Sequence, residues 1–227
     1  GESGNDDGIS YGTFAAANAI NVTLNGSNDA TVFIDGSDNH TVRNIEHIAG
    51  SDGDDILVGD GNDNNLFGSF GDDTLSGRAG NDFLDGVAGC ADTADYSQGA
   101  SSVIADLTAG AAAVDGDGGS DILANIDNLR GSNSNDTLSG DANDNLIAGG
   151  IGADRLRGRG GDDILDGQVG QDIADYSLAT AGVTADLDAG TASDDGDGGS
   201  DVLRNISHLE GSSFADDLSG DAQANTI

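Results

Sequence analysis

The sequence predicts an all-β fold, a solenoid of stacked Gly/Asp-rich nonapeptide half-turns. Three observations predict it. Glycine recurs every nine residues, at Gly50, Gly59, Gly68, Gly77 and Gly86. A single aliphatic residue recurs with the same period at position 8 of each unit, as Leu57, Leu66, Leu75 and Leu84. The whole array then returns 81 residues later, from Gly131. A repeat at fixed period means stacked units that bury a face only against their neighbours. Apolar residues do not recur at i, i+3, i+4, so helix is excluded as the main element.

Each unit has a six-residue Gly/Asp loop followed by a three-residue strand. In such a strand the central side chain points one way and its neighbours the other. Two units making opposite half-turns close an 18-residue coil, and the central Leu, Ile or Val residues of stacked coils then face one interior. The first array reads GSDGDDILV, GDGNDNNLF, GSFGDDTLS, GRAGNDFLD and GVAGCADTA. Position 6 is Asp55, Asn64, Asp73, Asp82 and Ala91. The second array supplies Asp136, Asn145, Asp154, Asp163 and Asp172 at position 6, with Leu138, Ile147, Leu156, Leu165 and Ala174 at position 8. A third array opens at Gly211, with Asp216 at position 6, and reaches Ile227.

Longer linking tracts separate the arrays, and they repeat too. Asp95-Tyr96-Ser97 corresponds to Asp175-Tyr176-Ser177, and a degenerate copy surrounds Tyr11. Three modules follow: 1–85, 86–166 and an incomplete 167–227, expected to form one continuous solenoid. The incomplete third module points to a segment of a larger protein.

Composition narrows the chemistry. The formal net charge is -35, with 42 acidic and 7 basic residues, and there is no Pro, Met or Trp. Such a field repels nucleic acid and anionic membranes, and no apolar run approaches the ~18 residues of a membrane span. All but three of the acidic residues are Asp. Asp holds its carboxylate close to a turn, where it joins backbone carbonyls around a hard cation. Ca²⁺ is the cation suited to flexible all-oxygen sites.

These units resemble the RTX (repeats-in-toxin) family, whose consensus nonapeptide is G-G-x-G-x-D-x-U-x. The resemblance covers 50–94 and 131–175 well and 211–227 in part. It implies a right-handed parallel β-roll, several Ca²⁺ ions between stacked loops, export through a type I system and folding outside the cell. The sequence departs from the consensus at position 2, where Gly150 is the only glycine in the two arrays, and at position 6 through Asn64, Asn145 and Ala91.

Loops two units apart share an edge, so the expected metal-ligand pairs are Asp55 with Asp73, Asn64 with Asp82, Asp136 with Asp154, Asn145 with Asp163, and Asp154 with Asp172. Asn offers only a neutral oxygen, which predicts weaker sites. Gly116–Ala124 and Gly196–Arg204 also read as nonapeptides, with Asp121 and Asp201 at position 6. The six-residue NIDNLR and NISHLE that follow read as shortened half-turns. That places Asp121 on Asp136 and Asp201 on Asp216, and makes the first module the poorer one because His40 and Ala91 interrupt its main edge. The alternative for Asp115 and Asp117 is an EF-hand-like loop, against which stand missing helical flanks and a missing position-12 Glu.

Tyr96 and Tyr176 are expected to pack where array meets linking tract, and Arg155, Arg157 and Arg159 to pair with nearby Asp. His47 and His208 are expected on a solvated face, and Cys90 is an incidental thiol. No catalytic constellation is present. The expected function is a non-catalytic, secreted or cell-surface Ca²⁺-binding spacer or stalk, without nucleic-acid or membrane partners. The alternative is an accessory module of a secreted protease, lipase or alginate epimerase, in contact with polysaccharide or with neighbouring modules of the same polypeptide.

Overall fold

The computed structural model describes residues 7–12, 19–34, 38–87 and 91–227. Cys90 lies outside them. Among the described residues every regular element is a strand. The chain divides into two compact units, residues 1–96 with 110–126, and residues 97–109 with 127–227.

In the first unit two sheets alternate along the chain. One runs Gly8–Ser10, His47–Ala49, Asn65–Ser69, Phe83–Val87 and Asp121–Ala124, all parallel, with Ala111–Val114 antiparallel on Asp121–Ala124. The other runs Thr93–Asp95, Thr74–Ser76, Ile56–Val58 and Ile20–Thr23 in parallel, then Ala30–Ile34 and Asp38–Val42 antiparallel. Successive nonapeptides fall on opposite sheets, as half-turns must.

Register places the period-nine aliphatics on top of one another. Ile48, Leu66, Leu84 and Leu123 form one ladder; Val22, Leu57, Leu75 and Ala94 form the other. All eight are buried. Full burial of such a side chain stabilises by roughly 1.5–3 kcal/mol, which a three-residue strand obtains only through its stacked neighbours. This is a parallel β-roll.

The second unit repeats the plan. Ala105, Leu138, Leu156, Ala174 and Leu209 stack in one parallel sheet, and Leu129, Ile147, Leu165 and Leu203 in the other. Here the antiparallel meander Thr184–Asp186, Thr191–Asp194, Asp201–Arg204 is inserted before the stack resumes. The shortened half-turns start at Asn44, Asn125 and Asn205, each left-handed with φ near +50°, a conformation Asn tolerates better than most residues.

Candidate functional site

Position 6 is the pivot of every loop. Its side chain folds back over the position-1 glycine of its own loop. A Cβ on Gly68 would lie 2.1 Å from Asp73 Oδ2, one on Gly149 2.4 Å from Asp154 Oδ2 and one on Gly158 2.1 Å from Asp163 Oδ2. Position 4 stacks on the previous coil: Gly71 has φ +118°, and its Cβ would lie 2.7 Å from the Gly53 carbonyl. Glycine is therefore required sterically at Gly68, Gly149, Gly158 and Gly71, whereas other coils carry Asn62, Ser134 or Asn143 at position 4.

The other carboxylate oxygen reaches the preceding coil. Asp73 Oδ1 accepts the backbone N–H of Asp55 at 2.8 Å, and Asp55 Oδ1 accepts that of Ile20 at 2.7 Å. Asp82 accepts from Asn64 at 2.8 Å. In the second unit Asp136 accepts from Val103 at 2.7 Å, Asp154 from Asp136 at 2.9 Å and Asp172 from Asp154 at 2.9 Å. Asp163 accepts from Asn145 at 2.8 Å. Position-6 residues thus form files along the roll edges, and the expected pairs 18 residues apart are neighbours.

The second oxygen of Asp73, Asp82, Asp154, Asp163 and Asp172 is buried with no hydrogen-bond partner. Burial pushes Asp73, Asp82 and Asp163 up to about 7 and Asp154 up to about 6. A buried anion without a partner is costly, so each interior loop presents an unmet demand for positive charge. Asp55 and Asp136, at the starts of files, differ: the Ser51 and Ser132 backbone N–H and hydroxyl groups satisfy them. Asp216 is half-exposed, held by the Ser212 hydroxyl and the Val183 N–H.

A family model, the RTX calcium-binding nonapeptide repeat, matches four times, over residues 44–75, 58–89, 124–156 and 140–174. These stretches carry RTX-type calcium-binding nonapeptide repeats. A search of curated proteins finds no match.

The donor set of the RTX loops fits Ca²⁺. It consists of hard oxygens only, carboxylates with orphaned buried oxygens beside backbone carbonyls such as that of Asn205, which crowds Gly167 together with Asp172 Oδ2. Among the described residues no three acidic, His or Cys side chains converge as a ready-made cage. An ion between RTX loops therefore draws on the main chain as well as on position 6.

Two expectations are corrected. Asp121 does not continue the Asp136 file. Its Oδ1 accepts the N–H of Asp82 at 3.0 Å, and Asp201 accepts that of Asp163 at 3.3 Å, in place of the Asp216 partnership. The meander is the reason: its antiparallel strands return the chain to the sheet it left, so Asp121 lands on the loop 39 residues earlier.

Second, the loop from Gly86 is not ligand-poor at Ala91. One extra residue lets Asp92 take the slot, accepting the N–H of Asp73 at 2.9 Å. With Asp55, Asp73 and Asp92 matching Asp136, Asp154 and Asp172, the first module is not the poorer one. His40 belongs to the strand Asp38–Val42 and stacks on Tyr11.

Asn145, expected as a weaker ligand, makes capping hydrogen bonds on both sides. Its Oδ1 accepts the Asp141 N–H at 2.9 Å, and its Nδ2 donates to the Asp127 carbonyl at 2.7 Å, on the shortened half-turn. Asn225 does the same toward Ser207. Asn64 keeps the acceptor half of this arrangement, through the Asp60 N–H.

The EF-hand alternative fails, because strands flank Asp115 and its carboxylate closes on its own turn. The arginines do pair with acids: Arg155 and Arg157 with Asp175, and Arg159 with Asp106 at 2.7 Å. Burial would raise Asp175, but Ser177 and the arginines outweigh it and hold it low. His47 and His208 are half-buried, and His208 Nδ1 accepts the Thr226 N–H.

Sequence reasoning missed an outer ladder at position 5. Asp54, Asp63 and Asp144 each accept the N–H of the position-5 residue one coil on, at Asp72, Asn81 and Asp162. The signal was the recurrence of Asp or Asn at a position the consensus leaves open.

Proposed function

We propose that this chain is a non-catalytic module that folds on binding Ca²⁺ outside the cell and then serves as a rigid spacer. The buried, unpartnered carboxylate oxygens of Asp73, Asp82, Asp154, Asp163 and Asp172 carry the reading. They make the roll unfavourable without a cation, and the net charge of -35 adds to that. At low cytosolic Ca²⁺ the chain stays open. Extracellular millimolar Ca²⁺ lies in the range of weak protein sites, and binding to the folded state alone contributes folding free energy.

Circular dichroism and calorimetric titration test it. Excess chelator at neutral pH converts the spectrum from β to coil, and Ca²⁺ restores it. Mg²⁺ restores it poorly, since it demands shorter, near-octahedral coordination. A fold unchanged in chelator sinks the proposal.

A further inference from the structure

The two units hold the same arginine in different circumstances. Arg78 and Arg159 both stand at position 2 of a nonapeptide, with φ of +72° and +78°. In the second unit Arg159 forks onto a carboxylate. Its Nη1 donates to Asp106 Oδ1 at 2.9 Å, and its Nη2 to Asp106 Oδ2 at 2.7 Å. Nη1 also donates to the Gly140 carbonyl at 3.0 Å. Such paired contacts are the geometry in which a guanidinium recognises a carboxylate.

The first unit keeps this frame and drops the acid. The Gly59 N–H donates to the Ser76 carbonyl as Gly140 donates to Arg157, both at 2.8 Å. The Leu24 N–H donates to the Val58 carbonyl at 2.8 Å, as Leu107 donates to Ser139 at 2.9 Å. Thr23 pairs with Val58 in its sheet, and Asp106 with Ser139. Thr23 is therefore the counterpart of Asp106, a neutral residue in the place of the acid. Among the described residues the Arg78 guanidinium has no ion pair and no hydrogen bond. A cleft of about 440 Å³ opens beside it, lined by Thr23, Asn25, Gly59, Asp60 and Asn62 as well as Arg78. That lies within the roughly 300–1,000 Å³ of small-molecule sites. Asp60 is the one acid in the lining. Its Oδ1 accepts the Asn62 N–H at 2.8 Å and its Oδ2 the Gly26 N–H at 2.7 Å. Asp141 holds the same place in the second unit, accepting the Asn143 N–H at 2.8 Å, and Arg159 pairs with Asp106 rather than with it.

We propose that this cleft binds a small hydroxylated carboxylate, whose carboxyl group takes on Arg78 the place that Asp106 takes on Arg159. Thr23 and Asn25, both exposed, supply a hydroxyl and an amide for the hydroxyl groups of the ligand. A sugar acid and an organic hydroxy acid share this chemistry. The net charge of -35 opposes an anion at long range. At about 0.15 M salt, charges beyond roughly 8 Å are screened, which leaves the local fork to decide. The site goes beyond a spacer role and does not depend on where Ca²⁺ sits.

The test is calorimetric titration of the full chain in saturating Ca²⁺ with D-glucuronate, with lactate and with neutral D-glucose. One glucuronate or lactate should bind per chain, the tighter of the two naming the source, and glucose should not bind. Arg78→Gln should weaken binding at least tenfold; Gln168 stands left-handed at the same position, so the backbone accepts Gln there. Thr23→Asp should abolish binding, because the new carboxylate occupies Arg78 as Asp106 occupies Arg159. Asp106→Thr should free Arg159 and raise the stoichiometry from one to two. No saturable binding of either acid to the wild-type chain, glucose binding as tightly as glucuronate, or full affinity in Arg78→Gln overturns the proposal.

Discussion

The backbone N–H of Asp82 donates to the carboxylate of Asp121, 39 residues along the chain, at 3.0 Å. The same bond joins Asn64 to Asp82 across 18 residues. The linking tract is therefore spliced into the stack, and the file passes through it. Asp82 becomes an interior member, like Asp154.

That predicts comparable damage from Asp82→Ala and Asp154→Ala. Each leaves one buried backbone N–H unpaired, of Asn64 or of Asp136, costing about 1–3 kcal/mol besides the lost ion contacts. The pairs expected from sequence alone make Asp154 the more damaging. Ca²⁺ midpoints of folding for the two variants decide, and a much larger loss at Asp154 refutes the spliced file.

Acid should replace calcium. In chelator, Asp73, Asp82, Asp163 and Asp201 rise from an unfolded value of 3.8 to about 7 in the fold. The folded chain then binds more protons than the unfolded one between those values, so stability falls as pH rises across that window. Their contribution is fully present below about 3.8 and lost above about 7. Circular dichroism in chelator should show β structure at pH 4.5 and coil at pH 7.5. Coil at both values counts against the prediction.

Asn145→Asp should weaken the roll although it restores the consensus acid. The variant loses the amide that donates to the Asp127 carbonyl at 2.7 Å and sets an anion against that oxygen. A cost of about 1–3 kcal/mol follows from the unmatched buried groups. Thermal melts in saturating Ca²⁺ measure it, and a raised melting point would show that Asn145 is a weakened ligand after all.

Val87→Gly should stabilise. Val87 stands at position 2 with φ +71° and is exposed, as Arg78, Arg159 and Gln168 stand left-handed at the same position. A left-handed non-glycine costs roughly 1–2 kcal/mol, more than the entropy glycine adds to the unfolded chain. Denaturant titration in Ca²⁺ should gain about 1 kcal/mol by that difference. No gain would mean that side-chain contacts of Val87 offset the strain.

Much of the roll was legible in sequence because one nine-residue period encodes it. Gly68 and Asp73 in one loop, and Leu66 and Leu84 in one ladder, follow from counting, since a repeated unit meets its own copy 18 residues on. The 18-residue partners Asp55 and Asp73, or Asp136 and Asp154, followed in the same way.

Counting ended where the period broke. Asp92 entered the file through a one-residue insertion, and Asp121 and Asp201 found their partners through antiparallel meanders of no fixed period. The role of Asn145 depended on the shortened half-turn beneath it, which supplies a carbonyl where other coils supply an N–H. The sequence by itself determined the unit, its glycines, its inward Leu and the acid at position 6, because each is a local steric or packing demand. Only the tertiary structure decided which acids stack and which are left without a donor, because that depends on which backbone groups the neighbouring coil presents.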